Sequence, residues 1–280
     1  MKIALIQLNV SDQPYQNLPT TIKLIDKAAQ EGAEFILTPE VTNCISLDRS
    51  HQEKILHPEK TDPTLIALRE KAFCLKKWIL IGSIALKTDD DDGRFANRSF
   101  LVNPSGNIVA KYDKIHMFDA NISENERYKE SSTYRPGNQC VCVNTDFGKI
   151  GLTICYDLRF AHLYRDLAMA GARIISVPSA FSPLTGAAHW EILTRARAIE
   201  TGCFIIAPAQ TGRHTTCSGK SRQTYGHSLV VSPWGEIIAK MREEVGYLVT
   251  EINLTEVDII RSRVPSLSNQ KVYNGPIDER

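Results

Sequence analysis

Short apolar runs typical of β-strands alternate with stretches of helical periodicity along almost the whole chain, and this alternation limits the possible folds most strongly. In the first helical stretch, Leu18, Ile22, Ile25 and Ala29 form one apolar stripe that Gly32 closes. The predicted helices are Leu18–Gln30, Pro63–Lys76, Leu163–Ala170, Trp190–Glu200 and Leu254–Arg263. The predicted strands are Lys2–Leu8, Phe35–Leu37, Trp78–Ala85, Ser99–Val102, Ile108–Tyr112, Cys140–Asn144, Lys149–Ile154, Ile174–Pro178, Phe204–Ala209, His227–Val231, Glu236–Lys240 and Gly246–Ile252.

Turn sequences between the strands indicate how they connect. Asp92-Gly93 joins one pair, Pro104–Asn107 another and Pro233–Gly235 a third, and such short connections are typical of β-hairpins. Hairpins mixed with helical crossovers indicate an α/β protein in which helices cover extended sheets. Because no proline- or serine-rich linker divides the 280 residues, we expect a single large domain.

Charge and composition argue against several classes of function. A net charge of +1 gives no electrostatic reason to expect nucleic acid or an anionic membrane as a partner. No apolar run approaches the roughly 20 residues of a membrane-spanning helix. The opening MKIALIQL is typical of a strand rather than a secretory signal, so we expect a cytoplasmic protein. Seven cysteines, an odd number, argue against a disulfide framework.

Cys155 is the strongest candidate nucleophile. Apolar Ile150, Leu152 and Ile154 alternate up to it, and helical spacing follows the polar turn at Tyr156. The pattern predicts a cysteine on a strand-to-helix turn, where helix N-terminal amides favour a thiolate and can hold an oxyanion. Such a cysteine can attack an acyl carbon and form a thioester. A buried structural thiol is, on this segment alone, an equally good interpretation.

Two further segments place a carboxylate and an ammonium after predicted strands. Glu40 follows the apolar run ending at Leu37, and Lys114 follows the strand ending at Tyr112. Taken singly, each is more simply a surface residue. Together with Cys155 they supply a base for the thiol proton and a cation for the oxyanion, so we expect them to meet at one sheet edge.

The chain resembles the nitrilase-like carbon–nitrogen hydrolase superfamily. The resemblance lies in Pro39-Glu40, in Tyr112-x-Lys114-x-His116 and in Gly151-Leu-x-Ile-Cys155-Tyr-Asp-x-Arg159-Phe160, which occur in the family's order and spacing. It implies a four-layer α-β-β-α sandwich, an α/β fold, with a catalytic domain over residues 1–265 and a tail, 266–280, at a dimer interface. It also implies a Glu40-Lys114-Cys155 triad, Glu130 as a fourth catalytic residue that orients Lys114 and the nucleophile, and a homodimer or higher homo-oligomer. The alternative interpretation of Glu130 is a charged loop residue.

Further segments downstream are Pro178-Ser-Ala-Phe181, His189-Trp190-Glu191 and Tyr225-Gly226-His227-Ser228. They resemble the family's amidase branch, whose substrates are deaminated glutathione and 2-oxoglutaramate. The resemblance implies hydrolysis of a linear amide C–N bond of a small carboxylated molecule, with water as the second substrate. Arg213-His214 and Tyr225-Gly226-His227 favour deaminated glutathione, whereas Ala161, standing where a proline is frequent, matches the omega-amidases. The implied substrate-binding residues are Arg159, Tyr156, Phe181, Thr185, His189 and Arg213, and the loop Gln210–Thr224 supplies His214, Lys220 and Arg222 as further candidates.

Alternative interpretations remain open at the sequence level. The substrate could be 2-oxoglutaramate or an N-carbamoyl amino acid, and the fold could serve as a catalytically silent dimeric scaffold. His189 could be structural. We expect no metal and no cofactor, because Cys140-x-Cys142 lacks a second ligand pair and no phosphate-binding glycine loop is present.

Overall fold

The computed structural model describes residues 1–124, 126–217, 219 and 221–275. Its strands are β1 (Lys2–Gln7), β2 (Phe35–Leu37), β3 (Trp78–Leu86), β4 (Ala96–Val102), β5 (Ile108–Asp113), β6 (Asp119–Ser123), β7 (Glu126–Lys129), β8 (Val141–Thr145), β9 (Gly148–Leu152), β10 (Ile174–Ser176), β11 (Phe204–Ala207), β12 (Thr211–His214), β13 (Arg222–Tyr225), β14 (Leu229–Val231), β15 (Ile237–Lys240) and β16 (Gly246–Glu251). Its α-helices are α1 (Pro14–Gln30), α2 (Arg49–Ile55), α3 (Pro63–Leu75), α4 (Ala161–Met169), α5 (Pro183–Thr185), α6 (Glu191–Thr201) and α7 (Thr255–Arg263). Shorter helical turns are Glu59–Thr61, Glu130–Ser132, Cys155–Arg159 and Gly186–Trp190.

Two six-stranded sheets of matching topology form the centre of the fold. The first has the order β16-β1-β2-β3-β4-β5 and the second the order β15-β14-β11-β10-β9-β8. Each contains three adjacent parallel strands, β1 to β3 and β9 to β11. Antiparallel strands flank them on both sides. Parallel neighbours need crossover connections, and these are the helical segments that the sequence pattern predicts.

Both faces of the first sheet are buried. Ile3 and Leu5 of β1 belong to the hydrophobic cluster that contains the second sheet, whereas Ala4 and Ile6 belong to the cluster that contains residues of α1 and α3. This follows from the two-residue period of a strand. Helices α1 and α3 cover the first sheet, and α4 and α6 cover the second. The predicted four-layer α-β-β-α sandwich is therefore confirmed.

All twelve predicted strands and all five predicted helices are present, with end points shifted by a few residues. The pattern missed α2, the three-residue α5 and the hairpins β6–β7 and β12–β13. Helix α2 buries only Gln52, and β6 and β7 are partly exposed and polar, so none carries a regular apolar stripe. Within the described residues, no helix combines the length and the apolar character that crossing a membrane requires.

Candidate active site

Glu40 lies on the turn that follows β2, and the backbone of β3 packs closely against this turn. A Cβ on Gly82 of β3 would lie 2.0 Å from the Thr38 carbonyl oxygen, so only glycine fits there. Val41 has a φ of 46°, a strained conformation for a β-branched residue. Such strain is concentrated at functional sites. The buried Glu40 side chain reaches the second sheet, where its Oε2 accepts a hydrogen bond of 2.9 Å from the Ala180 backbone N–H.

Lys114 follows β5, and its ammonium lies between two carboxylates. Its Nζ is 2.8 Å from Glu40 Oε1 and 2.8 Å from Glu130 Oε2. Burial alone would lower the pKa of Lys114, but the charges of Glu130 and Glu40 outweigh burial and raise it above its ordinary value. Burial opposes ionisation of Glu40 as well, yet Lys114 holds the pKa of Glu40 below its ordinary value. Ammonium and carboxylate therefore coexist at neutral pH.

Cys155 begins the short helical turn that follows β9. Its φ is 48°, and its backbone N–H donates to the Pro178 carbonyl oxygen at 2.9 Å. Burial, and next the charge of Glu40, raise the pKa of the thiol well above its ordinary value, and Lys114 offsets this only in part. The expectation that a helix N-terminus favours a resting thiolate is wrong, because burial and the charge of Glu40 favour the neutral thiol. The resting group is a neutral thiol beside a carboxylate.

Asp157 connects the cysteine turn to the lysine segment. One carboxylate oxygen accepts hydrogen bonds from the Ile154 backbone N–H at 2.8 Å and from the Tyr112 hydroxyl at 2.7 Å. The other accepts from the backbone N–H and the Nδ1 of His116, at 3.0 and 2.7 Å. Tyr112 and His116 flank Lys114 in the chain, so this fully buried carboxylate fixes the distance between ammonium and thiol.

Glu130 and Asn97 complete the charged cluster. Glu130 lies at the start of a helical turn, and its Oε2 also accepts a hydrogen bond of 2.6 Å from the Phe118 backbone N–H. The Asn97 amide nitrogen is 2.9 Å from Glu40 Oε1 and 3.4 Å from Glu130 Oε1. The Asn97 Oδ1 is buried and has no hydrogen-bond partner among the described residues. Sequence reasoning missed Asn97, because an asparagine within a strand has no distinctive pattern.

A cavity of about 290 Å³ opens beside the Cys155 thiol. Besides Glu40, Lys114 and Glu130, it is lined by four basic side chains: Arg49, Arg127, Lys129 and Arg222. Arg222 donates to the Ala180 carbonyl oxygen at 2.6 Å, while its buried Nε has no hydrogen-bond partner in the described part of the chain. The cavity therefore presents positive charge in excess of its two carboxylates.

A second, smaller pocket touches Cys155 and is lined by four of the expected substrate-binding residues: Tyr156, Arg159, Phe181 and Thr185. His189 is exposed and does not line this pocket, but its Nδ1 is 3.3 Å from the Arg159 guanidinium. Arg213 lines neither space, because its exposed side chain donates to the Ser221 hydroxyl at 2.9 Å. His214 is buried between Val10 and Thr224. Lys220 lies outside the described residues.

Fold and site together define a carbon–nitrogen hydrolase. The model of that family matches residues 2–261, and the chain belongs to the family. It is 39% identical to the deaminated glutathione amidase of Yersinia enterocolitica, over 96% of this chain and 92% of the relative. It is 36% identical to the deaminated glutathione amidase of Synechocystis sp., over 95% and 97%.

A solved structure shows the same fold. The crystal structure of the Caenorhabditis elegans NitFhit protein matches with a TM-score of 0.88 at 35% identity, covering 96% of this chain and 65% of that one.

Membership of the family and the similarity to named amidases identify the chain as an enzyme that hydrolyses amide C–N bonds. This conclusion excludes the alternative of a catalytically silent scaffold.

Proposed function

We propose that the enzyme hydrolyses deaminated glutathione at the amide that joins its 2-oxo acid portion to cysteinylglycine. The observation that carries the proposal is the excess of basic side chains in the cavity beside Cys155. Deaminated glutathione has a carboxylate at each end, and guanidinium groups bind carboxylates with paired hydrogen bonds. Arg222, whose buried Nε lacks a partner among the described residues, is the leading candidate for one of these carboxylates.

In the first half of the reaction, Cys155 attacks the amide carbon while Glu40 accepts the thiol proton. The thiol is neutral at rest and Glu40 is ionised, so this transfer accompanies the attack. Lys114 stabilises the developing oxyanion together with the backbone N–H of Tyr156, the first amide of the turn after the nucleophile. Glu40 then returns the proton to the leaving nitrogen, the C–N bond breaks and a thioester remains on Cys155.

In the second half, water cleaves the thioester. Glu40 takes a proton from the water, the hydroxide adds to the acyl carbon, and the thiolate leaves and regains the proton. Lys114 again faces the oxyanion. Glu130 has no proton to move in this scheme, and both of its oxygens hold the Lys114 ammonium in place. We therefore assign Glu130 the role of orienting the lysine.

The smaller pocket is proposed to bind the part of the substrate on the other side of the amide bond. The Arg159 guanidinium lies 5.8 Å from the Tyr156 ring and 5.6 Å from the Phe181 ring, which keeps it next to Cys155. Thr185 supplies a hydroxyl in the same pocket, and His189 accepts a hydrogen bond from Arg159. Arg213 is a weaker candidate, because it lies outside both spaces.

We also propose that residues 1–265 form the catalytic domain and that the enzyme is a cytoplasmic homodimer. Ile192 and Ile199 on α6 expose 68% and 55% of their surfaces, and Trp234 in the turn after β14 exposes 53%. Exposed large apolar side chains of this kind are typical of an interface. The tail from residue 266 is proposed to contribute to the interface, and its residues 276–280 lie outside the described part. Sedimentation of wild type and Ile192→Lys tests this, with a dimer and a monomer expected, respectively.

A substrate panel tests the proposed function. Values of kcat/KM are measured for deaminated glutathione, 2-oxoglutaramate, an N-carbamoyl amino acid and a neutral amide without carboxylates. We expect the highest value for deaminated glutathione and the lowest for the neutral amide. A preference for 2-oxoglutaramate or for the N-carbamoyl compound would identify that compound's class as the substrate instead.

A further inference from the structure

Three side chains that the proposed reaction does not use meet away from Cys155. Asp12 lies just before α1, His51 lies in α2, and Cys217 lies in the connection between β12 and β13. Their carboxylate oxygen, ring nitrogen and sulfur all lie within 4.8 Å of one another. Because the residues are far apart in the chain, no spacing motif predicts this cluster.

The Gln13 side-chain amide occupies the centre of the cluster. Its Nε2 is 3.0 Å from the Cys217 Sγ, 3.2 Å from the His51 Nε2 and 3.4 Å from the Asp12 Oδ1. The His51 Nε2 also lies 3.1 Å from the Asp12 carbonyl oxygen, and in the tautomer with the proton on Nε2 it donates to that oxygen. In the other tautomer its lone pair joins those of the Cys217 sulfur and the Asp12 carboxylate, and three ligand atoms this close together are an arrangement that a cation can satisfy.

We propose that Asp12, His51 and Cys217 bind one Zn²⁺ ion. Thiolate, imidazole and carboxylate are the ligand types of protein zinc sites, and a sulfur ligand disfavours Mg²⁺ and Ca²⁺. The Gln13 side chain, whose amide group contacts all three residues, would supply the fourth ligand through its carbonyl oxygen. The anionic Asp12 and the Cys217 thiolate would balance the charge of the ion. Asp12 is buried and His51 half-buried, whereas Cys217 is exposed and leaves the cluster open to an entering ion.

Such an ion would stabilise two of the segments that line the substrate cavity. It joins the β12–β13 connection to the beginning of α1 and to α2. Strand β13 begins with Arg222, and α2 begins with Arg49, and both side chains line the cavity. The metal is thus structural, and no step of the hydrolysis passes through it.

Cobalt binding to the full-length Cys155→Ala protein tests the proposal, because that background removes the catalytic thiol as a ligand. CoCl₂ is added under reducing, anaerobic conditions, and the absorption of a cobalt–thiolate bond is recorded. We expect one equivalent of Co²⁺ with a thiolate charge-transfer band that ZnCl₂ abolishes. The double variant Cys155→Ala/Cys217→Ser should lack the band. His51→Gln in the same background should weaken Co²⁺ binding by more than roughly 100-fold, because losing a residue that only hydrogen-bonds to a metal ligand typically costs roughly 10- to 100-fold.

Matched controls are Cys74→Ser, at another exposed cysteine, and Cys142→Ser, which breaks the Cys140-x-Cys142 pair. Both should retain the band and the stoichiometry. Absence of binding, a band that survives Cys217→Ser, or a band lost in Cys142→Ser would each overturn the proposal. Circular dichroism of every variant shows that the comparison is made between folded proteins.

Discussion

Asp157 accepts hydrogen bonds from both the backbone N–H and the ring Nδ1 of His116, at 3.0 and 2.7 Å, and thereby binds the cysteine turn to the lysine segment. Neither residue lines either pocket at the thiol, so their contribution is to hold the geometry. Displacements of about 1 Å at a reacting centre can cost roughly 10²-fold in rate.

Asp157→Asn is expected to lower kcat by about 10²-fold and to leave KM nearly unchanged, because the carboxylate positions Cys155 and does not touch substrate. Steady-state kinetics measure both constants. Tyr112→Phe, which removes one of the four hydrogen bonds to Asp157, should have a smaller effect in the same direction. A selective rise in KM would show that Asp157 acts in substrate binding instead.

Asn97→Asp is expected to shift the acid limb of kcat/KM to higher pH. The wild-type Asn97 amide donates to Glu40 and stabilises its ionised form, whereas a third carboxylate there would repel it and raise the pKa of Glu40. In the wild type, Lys114 lowers the pKa of Glu40 below 4.5, so activity should persist until the pH falls below that value.

The pH–rate profile of Ser99→Ala serves as the control for Asn97. Ser99 is buried on the same strand, but its hydroxyl donates to the Ile81 carbonyl oxygen at 3.1 Å. The acid limb of kcat/KM for Ser99→Ala should coincide with that of the wild type. If the acid limb of Asn97→Asp is also unchanged, Glu40 does not control the loss of activity at low pH.

Arg222→Ala is expected to lower kcat/KM for a carboxylated substrate by about 10- to 100-fold, the usual cost of losing a hydrogen bond between charged groups. Turnover of a neutral amide should change much less. Arg213→Ala is the matched control, since this neighbouring arginine is exposed and lies outside both pockets. Equal losses in the two variants, or equal losses with both substrates, would remove Arg222 from substrate recognition.

His214 is expected to make stability depend on pH. Burial lowers the pKa of His214 from 6.5 to about 4. Its Nδ1 must carry the proton, because it lies 2.7 Å from the Val10 carbonyl oxygen, which can only accept. Between pH 6.5 and 4 the unfolded chain binds the proton and the folded chain does not, so stability falls as the pH falls, by at most on the order of 3 kcal/mol.

Urea unfolding at several pH values measures this contribution. His214→Gln should show a flatter pH dependence across the window, and His162→Gln, at an exposed site on α4, should match the wild type. If the His214 variant keeps the wild-type slope, other groups account for acid destabilisation.

The motif residues were predictable from sequence because each stands just beyond a recognisable apolar strand. Glu40 follows β2, Lys114 follows β5 and Cys155 follows β9, and two sheets of matching topology bring these ends together. Glu130 was found only through the family resemblance, since it lies in an irregular segment. The fold class followed from the same alternation of strands and helices.

The supporting residues were predicted only in part, because their roles depend on contacts between distant segments. Asn97 faces two glutamates across the sheet and was missed. Arg222 was one of several candidates in the loop Gln210–Thr224, and its place in the cavity does not follow from a hairpin whose polar strands carry no apolar pattern. The ionisation of Cys155 depends on burial and on Glu40, neither of which local sequence shows. Arg213 and Arg222 are equivalent in sequence, and only the geometry separates them.

The central claim is that Cys155 forms the thioester, and its removal tests this most directly. Purified Cys155→Ala, shown by circular dichroism to be folded, is assayed for release of the amine product from deaminated glutathione and from 2-oxoglutaramate. Loss of the nucleophile should reduce kcat by on the order of 10⁴-fold or more with both substrates. Turnover within about tenfold of the wild-type rate would contradict the account, because then no bond to Cys155 is needed.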